Sequence, residues 1–364
     1  MDRRGALLAT LVVTPDAGVA LLPSGTTVIR TSPYALLALL VAASPAAADS
    51  ITLANGFNVL VRNDMTLKAD VGGRAAVGGN ATFSNFAIGS GDNASNGASL
   101  ATDPARYDLV VGGHAQLNNG SVNKGSAYAG SASTSSVGYH AAGASLQTGG
   151  LAPVDFVNLF TSAESLSQEL LGFTGNGTAN AQWGGLTLTG SDASLNVFDL
   201  TTSMLTGIHS LNILVPTTST VLFNVSGSAL TMQYMGINVN GAQDNTMSRQ
   251  ILWNFQNLSA LTLNGLGWRG SILAPYATMS LANGNVNGQV IVNNLYTSWG
   301  GEYHNFGFDG ELPFYDEEQP IPVDPTPAPV PEPSSMLLLG SAAAACAYRF
   351  RRSASALFRR SDAA

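Results

Sequence analysis

Glu302, His304, Asp309 and Glu311 fall within a ten-residue span and are flanked by Trp299, Tyr303 and Phe306. Carboxylates beside aromatic rings suit a sugar, because a ring stacks on its C–H face while the carboxylates accept hydrogen bonds from its hydroxyls. Trp299, Glu302, Tyr303, His304 and Asp309 therefore form a candidate ligand edge. A carboxylate pair is also the machinery of glycoside hydrolysis, with Glu302 or Asp309 as acid or base. The plainer reading is an aromatic cap closing the end of a β stack. Other chemistry lacks its motifs. His114, His140, His209 and His304 lie far apart without HExxH or HxxxH spacing, so no zinc site is indicated. There is no GxSxG elbow and no Walker loop. Turns at Asp92 and Asn93 and at Asp244 and Asn245 offer oxygen ligands, but without the DxDxDG loop that holds calcium. The expectation is a non-enzyme with no metal and no cofactor.

The composition narrows the class. Only 10% of the 364 residues are charged, against about a quarter in ordinary globular chains, and there are 40 glycines and one cysteine. A formal net charge of -8, with Lys68 and Lys124 as the only lysines, argues against nucleic acid, which needs a basic patch. Cys346 alone supports neither a disulfide framework nor a thiolate zinc cluster.

The two ends read as export and sorting signals. Arg30, the apolar run 34–43 and the small residues Ala46 and Ala48 form a secretory signal cut after Ala48. The apolar run is too short to span a bilayer, which takes about 20 residues. Residues 1–28 lie unusually far upstream, so translation starts near Val28 or Met1 opens a longer leader. At the other end a Pro-rich acidic linker, 315–329, precedes Val330-Pro331-Glu332-Pro333-Ser334. An apolar stretch with helical preference follows, then Arg349, Arg351 and Arg352, whose charge holds the tail in the cytoplasm. The tail 330–364 is expected to contain a short transmembrane helix.

The body, 49–314, is expected to be mainly β. VGGNATFSN at 77–85 aligns with VGGHAQLNN at 111–119 at an offset of 34, and 119–123 echoes 283–287. Short β-prone runs punctuated by Gly and Asn, which tolerate positive φ at corners, indicate a β-helix or related solenoid. A β-sandwich is the competing architecture. Alternation in LTLTG (186–190) and STVLFNVSG (219–227) sets Thr and Ser on one face, and Pro216 and Pro275 are expected at strand edges. Between Pro153 and Phe173, apolar residues at Phe156, Leu159, Phe160, Ala163, Leu166 and Leu170 recur at helical spacing. One amphipathic helix is therefore expected alongside the β body.

The tail from 330 to about 353 resembles the PEP-CTERM sorting signal of Gram-negative bacteria. That resemblance implies a membrane-embedded protease, exosortase, as processing partner. The body, through 57–61, 77–80, 153–156, 195–198, 251–255, 271–275, 287–290 and 301–304, resembles the choice-of-anchor A family. Such a domain implies an exported, adhesive or structural protein of the cell surface, outer envelope or biofilm matrix, held transiently at the inner membrane and without established catalytic residues. Exopolysaccharide or other matrix components are the further partners considered. The alternative is a secreted β-helical carbohydrate-binding protein or carbohydrate-active enzyme acting on exopolysaccharide. Ice binding needs a flat, regular array of Thr or Ala, for which the two Leu-Thr-Leu runs are too few.

Overall fold

The computed structural model describes residues 53–91, 97–242 and 245–313. Contacts divide the chain into 1–46 and 47–364, and the described residues belong to the second unit. The signal-cleavage residues Ala46 and Ala48, the sorting residues from Val330 to Arg352 and the turn at Asp92 lie outside them, as does Asp244.

The strands form a parallel β-helix with three faces. On the first face, Val59–Val61 pairs in parallel with both Ala75–Val77 and Val290–Thr297. On the second, Met65–Leu67 pairs with Ala81–Ile88 and again with Val290–Thr297. On the third, Asp70–Val71 pairs with Ala81–Ile88 and with Gly301–His304. The coil 59–71 therefore sits between the coil that follows it and the last coil of the domain. From this seam, coils 75–88, 107–122 and 126–139 stack one way. Coils 290–304, 271–287, 251–269 and 220–239 stack the other way, with Leu195–Thr201 beyond them. The stacking order is not the chain order.

Each coil points alternate residues inward, as period-2 geometry requires. An aromatic stack fills part of the interior: Phe223 stacks on Trp253 at 3.9 Å between ring centroids, and Trp253 lies 4.7 Å from Trp268 on the same coil. The internal repeat of the sequence is one step of this stack. Ala81 is in register with Ala115, the same offset of 34, and Asn85 and Asn119 both turn the corner between second and third faces at positive φ. Their side chains hydrogen-bond to each other, Asn119 Nδ2 donating to Asn85 Oδ1 at 2.6 Å. Asn283 holds the same conformation at the same corner of another coil, which explains the second echo.

The expected helix, α1, spans Phe156–Glu169. Asp155 is its N-cap, accepting a hydrogen bond from the Asn158 backbone N–H at 3.1 Å, and a short 3-10 turn, Leu170–Gly172, ends it. Its stripe Phe160, Ala163 and Leu170 covers the outward side of the first face, packing with Leu60, Leu222, Leu252, Leu273 and Ile291. Thr220–Ser226 is consequently buried on both sides, so the polar outward face expected for that run is instead Leu222 and Asn224 under the helix. Asn224 and Asn254, in register on neighbouring coils, donate to the backbone carbonyls of Leu170 and Ser167 at 2.9 Å each. Two buried amides thus receive the C-terminal carbonyls that a helix leaves unpaired. Pro275 lies inside Ser271–Ala282 rather than at a strand edge, at a register shift where no ladder N–H is needed. Residues 232–239 form two strands, Ala229–Gln233 and Gly236–Val239, broken at Tyr234 with positive φ.

Truncation of the fully buried Trp253 to Ala removes the centre of the aromatic stack, and a loss of about 3–5 kcal/mol of unfolding free energy is expected. Denaturant unfolding measures it, and a loss under about 1 kcal/mol contradicts this packing.

Candidate functional site

The second face carries a column of outward side chains that the sequence did not single out. In stacking order it runs Ser133, Gln116, Thr82, Thr66, Tyr296, Ser280, Thr262 and Thr231, each in register with the next. Stacking sets neighbours about 4.8 Å apart. From Gln116 to Thr231 each residue alternates with a buried one, such as Phe83, Leu67, Leu281 or Leu263, and that alternation aims the polar groups outward together. The signal was present strand by strand, but the column depends on register between coils up to 230 residues apart, which periodicity does not encode.

Across the middle of this face runs a shallow groove of about 370 Å³. Its lining includes Thr66, Lys68, Thr262, Asn264, Ser280, Ala282, Tyr296 and Ser298. Tyr296 is exposed beside hydroxyls, an amide and an ammonium group, and Trp299, 61% exposed, follows Ser298 in the turn leaving the face. Of the expected ligand edge, Trp299 is the member adjoining this groove.

The remaining members separate. Tyr303 points into the solenoid with no exposed surface, its hydroxyl 2.6 Å from Thr297 Oγ1, and burial pushes its phenol pKa up. Its ring is core and unavailable to a ligand. Glu302 projects from the third face, and His304 lies buried beside it. The imidazole Nε2 is 2.9 Å from Glu302 Oε2 and Nδ1 is 2.6 Å from Asn287 Oδ1. Asn287 is oriented by its own donation to the Trp268 carbonyl, 3.0 Å, so both ring nitrogens are committed within the fold. Asp309 lies past the end of that strand, 3.6 Å from Arg249 Nη1. Glu302 and Asp309 thus serve different partners and do not face one gap.

Glu302 has a carboxylate neighbour that sequence spacing hides. Asp70, on the adjoining coil, is in register with it. Burial, opposed by a hydrogen bond from the Ala87 backbone and reinforced by the charge of Glu302, holds the Asp70 carboxyl above its ordinary range. Among the described residues no group of three or more His, Cys, Asp or Glu is placed to hold a metal. A second cavity, about 600 Å³, lies beneath α1; Leu53, Leu60, Leu159, Leu166 and Ile291 give it largely apolar walls. No helix among the described residues is long and apolar enough to cross a membrane.

A parallel β-helix with one face covered by a helix and another left flat and polar defines a helix-covered β-solenoid class of domain. The family described as "Putative Ice-binding-like adhesive domain" matches residues 50–305, and the chain belongs to it. The PEP-CTERM protein-sorting motif matches residues 329–352, which marks an exported surface protein. The body is thereby placed among ice-binding-like adhesive domains. Similar solved structures include the ice-binding protein of the Antarctic ascomycete Antarctomyces psychrotrophicus, at 15% identity over 58% of this chain and 94% of that one, TM-score 0.30. A glycosylated ice-binding protein from an Arctic yeast is 13% identical over 74% of this chain and 97% of that one, TM-score 0.36. No curated protein matches the chain.

Because the folded state raises the Asp70 pKa, the stabilising contribution of the protonated carboxyl is complete at low pH and is lost as pH rises through the folded value. Asp70→Asn removes that loss. The melting-temperature difference between Asp70→Asn and the parent chain is expected to be more favourable to the variant at pH 7 than at pH 4. An equal difference at both pH values contradicts this account of the pair.

Proposed function

We propose that the chain is an adhesive or structural protein of the cell surface or extracellular matrix of a Gram-negative bacterium. Export uses the signal ending at Ala48, and exosortase cuts the tail near Pro331-Glu332-Pro333 after transient anchoring in the inner membrane. The body is read as a choice-of-anchor A type domain that contacts polysaccharide without transforming it. The observation that carries this reading is the groove on the second face. There Tyr296, with the exposed Trp299 in the adjoining turn, offers ring surface to a sugar, while Thr66, Thr262 and Ser280 offer hydroxyl partners.

Ice is the second reading, favoured by the Thr and Ser residues aligned in that column. The long side chains of Tyr296 and Gln116 interrupt it, since they project beyond the hydroxyl plane that a crystal surface would have to match. A polymer with its own relief accommodates such projections.

Two measurements test these readings. Intact mass of the protein from hosts with and without active exosortase is expected to show loss of the tail beyond about Pro333 only in the former. Uncut, membrane-retained chain in both hosts contradicts the processing route. In retention on matrix polysaccharide, Tyr296→Ala and Trp299→Ala are each expected to weaken binding at least about fivefold, as loss of an aromatic anchor worth about 1 kcal/mol does. Unchanged retention, with incorporation into growing ice that Thr66→Tyr abolishes, favours the second reading instead.

A further inference from the structure

The two ends of the β-helix are finished differently. Beyond Leu195–Thr201 the edge is closed by side chain and backbone together. The Asn176 amide donates from Nδ2 to the Leu195 carbonyl at 2.9 Å and accepts at Oδ1 from the Val197 N–H at 2.7 Å, as a further strand would. The Asn176 and Gly177 N–H groups donate to the Val197 carbonyl at 3.0 and 2.9 Å. A helical turn, Thr202–Leu205, packs against Ala229–Gln233, the strand that ends the second face. On the third face the antiparallel strand Thr178–Gln182 pairs with Gly185–Thr189 through a tight turn at Trp183 and Gly184, both at positive φ.

At the opposite end lies Ser126–Tyr139, and only its first part is covered. Leu146–Thr148 pairs with 127–129, and among the described residues no strand pairs with the outer edge of 131–139. An uncovered strand edge presents unpaired N–H and C=O groups, and natural proteins guard such edges with charges, prolines or bulges. The stretch Ser131-Ala-Ser-Thr-Ser-Ser-Val-Gly-Tyr139 has no charge and no proline, and its second-face part, 131–135, runs up to the corner made by Ser136 at positive φ. Ser131, Ser133, Thr134, Ser135 and Ser136 are exposed.

We propose that this edge pairs antiparallel with the same edge of a second copy, forming a two-fold dimer. Antiparallel pairing centred on Ser133 sets Ser133 opposite its equivalent, Ser131 opposite Ser135 and Ala132 opposite Thr134. All are small and uncharged. A net charge of -8 opposes the approach of two copies, and a contact without carboxylates is where that repulsion is least. Such an interface is closed by its symmetry, so assembly stops at two. In that register five uncovered residues a side, 131–135, take part, because 137–139 would fall opposite 127–129, which Leu146–Thr148 already covers; this is well short of the roughly 20–30 of a standard stable interface. The dimer is therefore weak, with a dissociation constant of about 10 µM or above.

Sedimentation velocity on the full mature chain, from about 5 to 500 µM, tests the proposal. The expected result is a concentration-dependent shift from monomer to dimer with nothing larger. Ser133→Lys puts two like charges opposite each other and is expected to weaken the dimer at least tenfold, about 1.4 kcal/mol. Ser133→Glu is expected to do the same, and an equimolar mixture of the two variants to restore dimerisation. Ser133 is exposed and its hydroxyl touches only His114 Nε2, at 3.3 Å on the surface, so both variants are expected to stay within a few degrees of the parent melting temperature, which checks that they fold. A parent chain monomeric throughout overturns the proposal, as does growth beyond two copies. A dimer indifferent to both variants, or a mixture that fails to restore it, also overturns it.

Discussion

The whole domain depends on backbone hydrogen bonds between coils far apart in the chain. In a parallel stack every coil leaves donors and acceptors along both edges, and each edge needs a neighbour. Coil 59–71 meets this requirement by pairing on one side with the coil after it and on the other with the last coil. Two buried amides fasten that seam. Asn58 donates to the Gly288 and His304 carbonyls and accepts from the Gly73 N–H. Gln289 donates to the Leu53 and Phe57 carbonyls and accepts from the Phe308 N–H. The beginning and end of the domain are thus held by the same side chains. Neither half of the stack has its seam edge covered without the other, which favours cooperative unfolding over the coil-by-coil loss open to a solenoid stacked in chain order.

The same constraint explains why a chain with so few charges is rich in Asn, Ser and Thr. Side-chain amides supply a donor and an acceptor together, so one residue can bridge backbone groups on two coils without a buried charge to neutralise. Asn224 and Asn254 finish a helix, Asn176 finishes a sheet edge, and Asn85 and Asn119 turn corners. The fully buried carboxylate of Asp108 is matched, accepting from Arg106 Nε at 2.7 Å. On the outside, short hydroxyl side chains leave a face flat enough for a large, uncharged partner.

What the sequence made legible follows from what is local. The repeat at an offset of 34 is visible because two consecutive coils share length and corner residues, and their register reproduces it. The helix is visible because its stripe, from Phe156 to Leu170, has one period throughout. The mainly β architecture and the stacked coils follow from Gly and Asn at corners. The order of coils is not local, since the pairing of Val59 with Val290 leaves no mark in either segment. Nor is the sealing of the first face, because Leu222 reads as an exposed alternate position until the helix is placed over it. Tyr303 looked like a ligand aromatic for the same reason: in a strand its direction depends on register, and the neighbouring Glu302 takes the outward place.

The division of labour among the three faces follows from these placements. A first face whose outward residues are Leu60, Leu252, Leu273 and Ile291 must be covered, and α1 covers it. The third face places Asp70 and Glu302 side by side and ties the second of them to His304, so its charged groups are spent within the fold. The second face alone combines regular spacing, small polar side chains and exposed rings without an internal partner across most of its width. In the proposed function, a rigid scaffold presents such groups to a repeating polymer with little ordering still to be done on contact, which favours many weak contacts over one deep pocket.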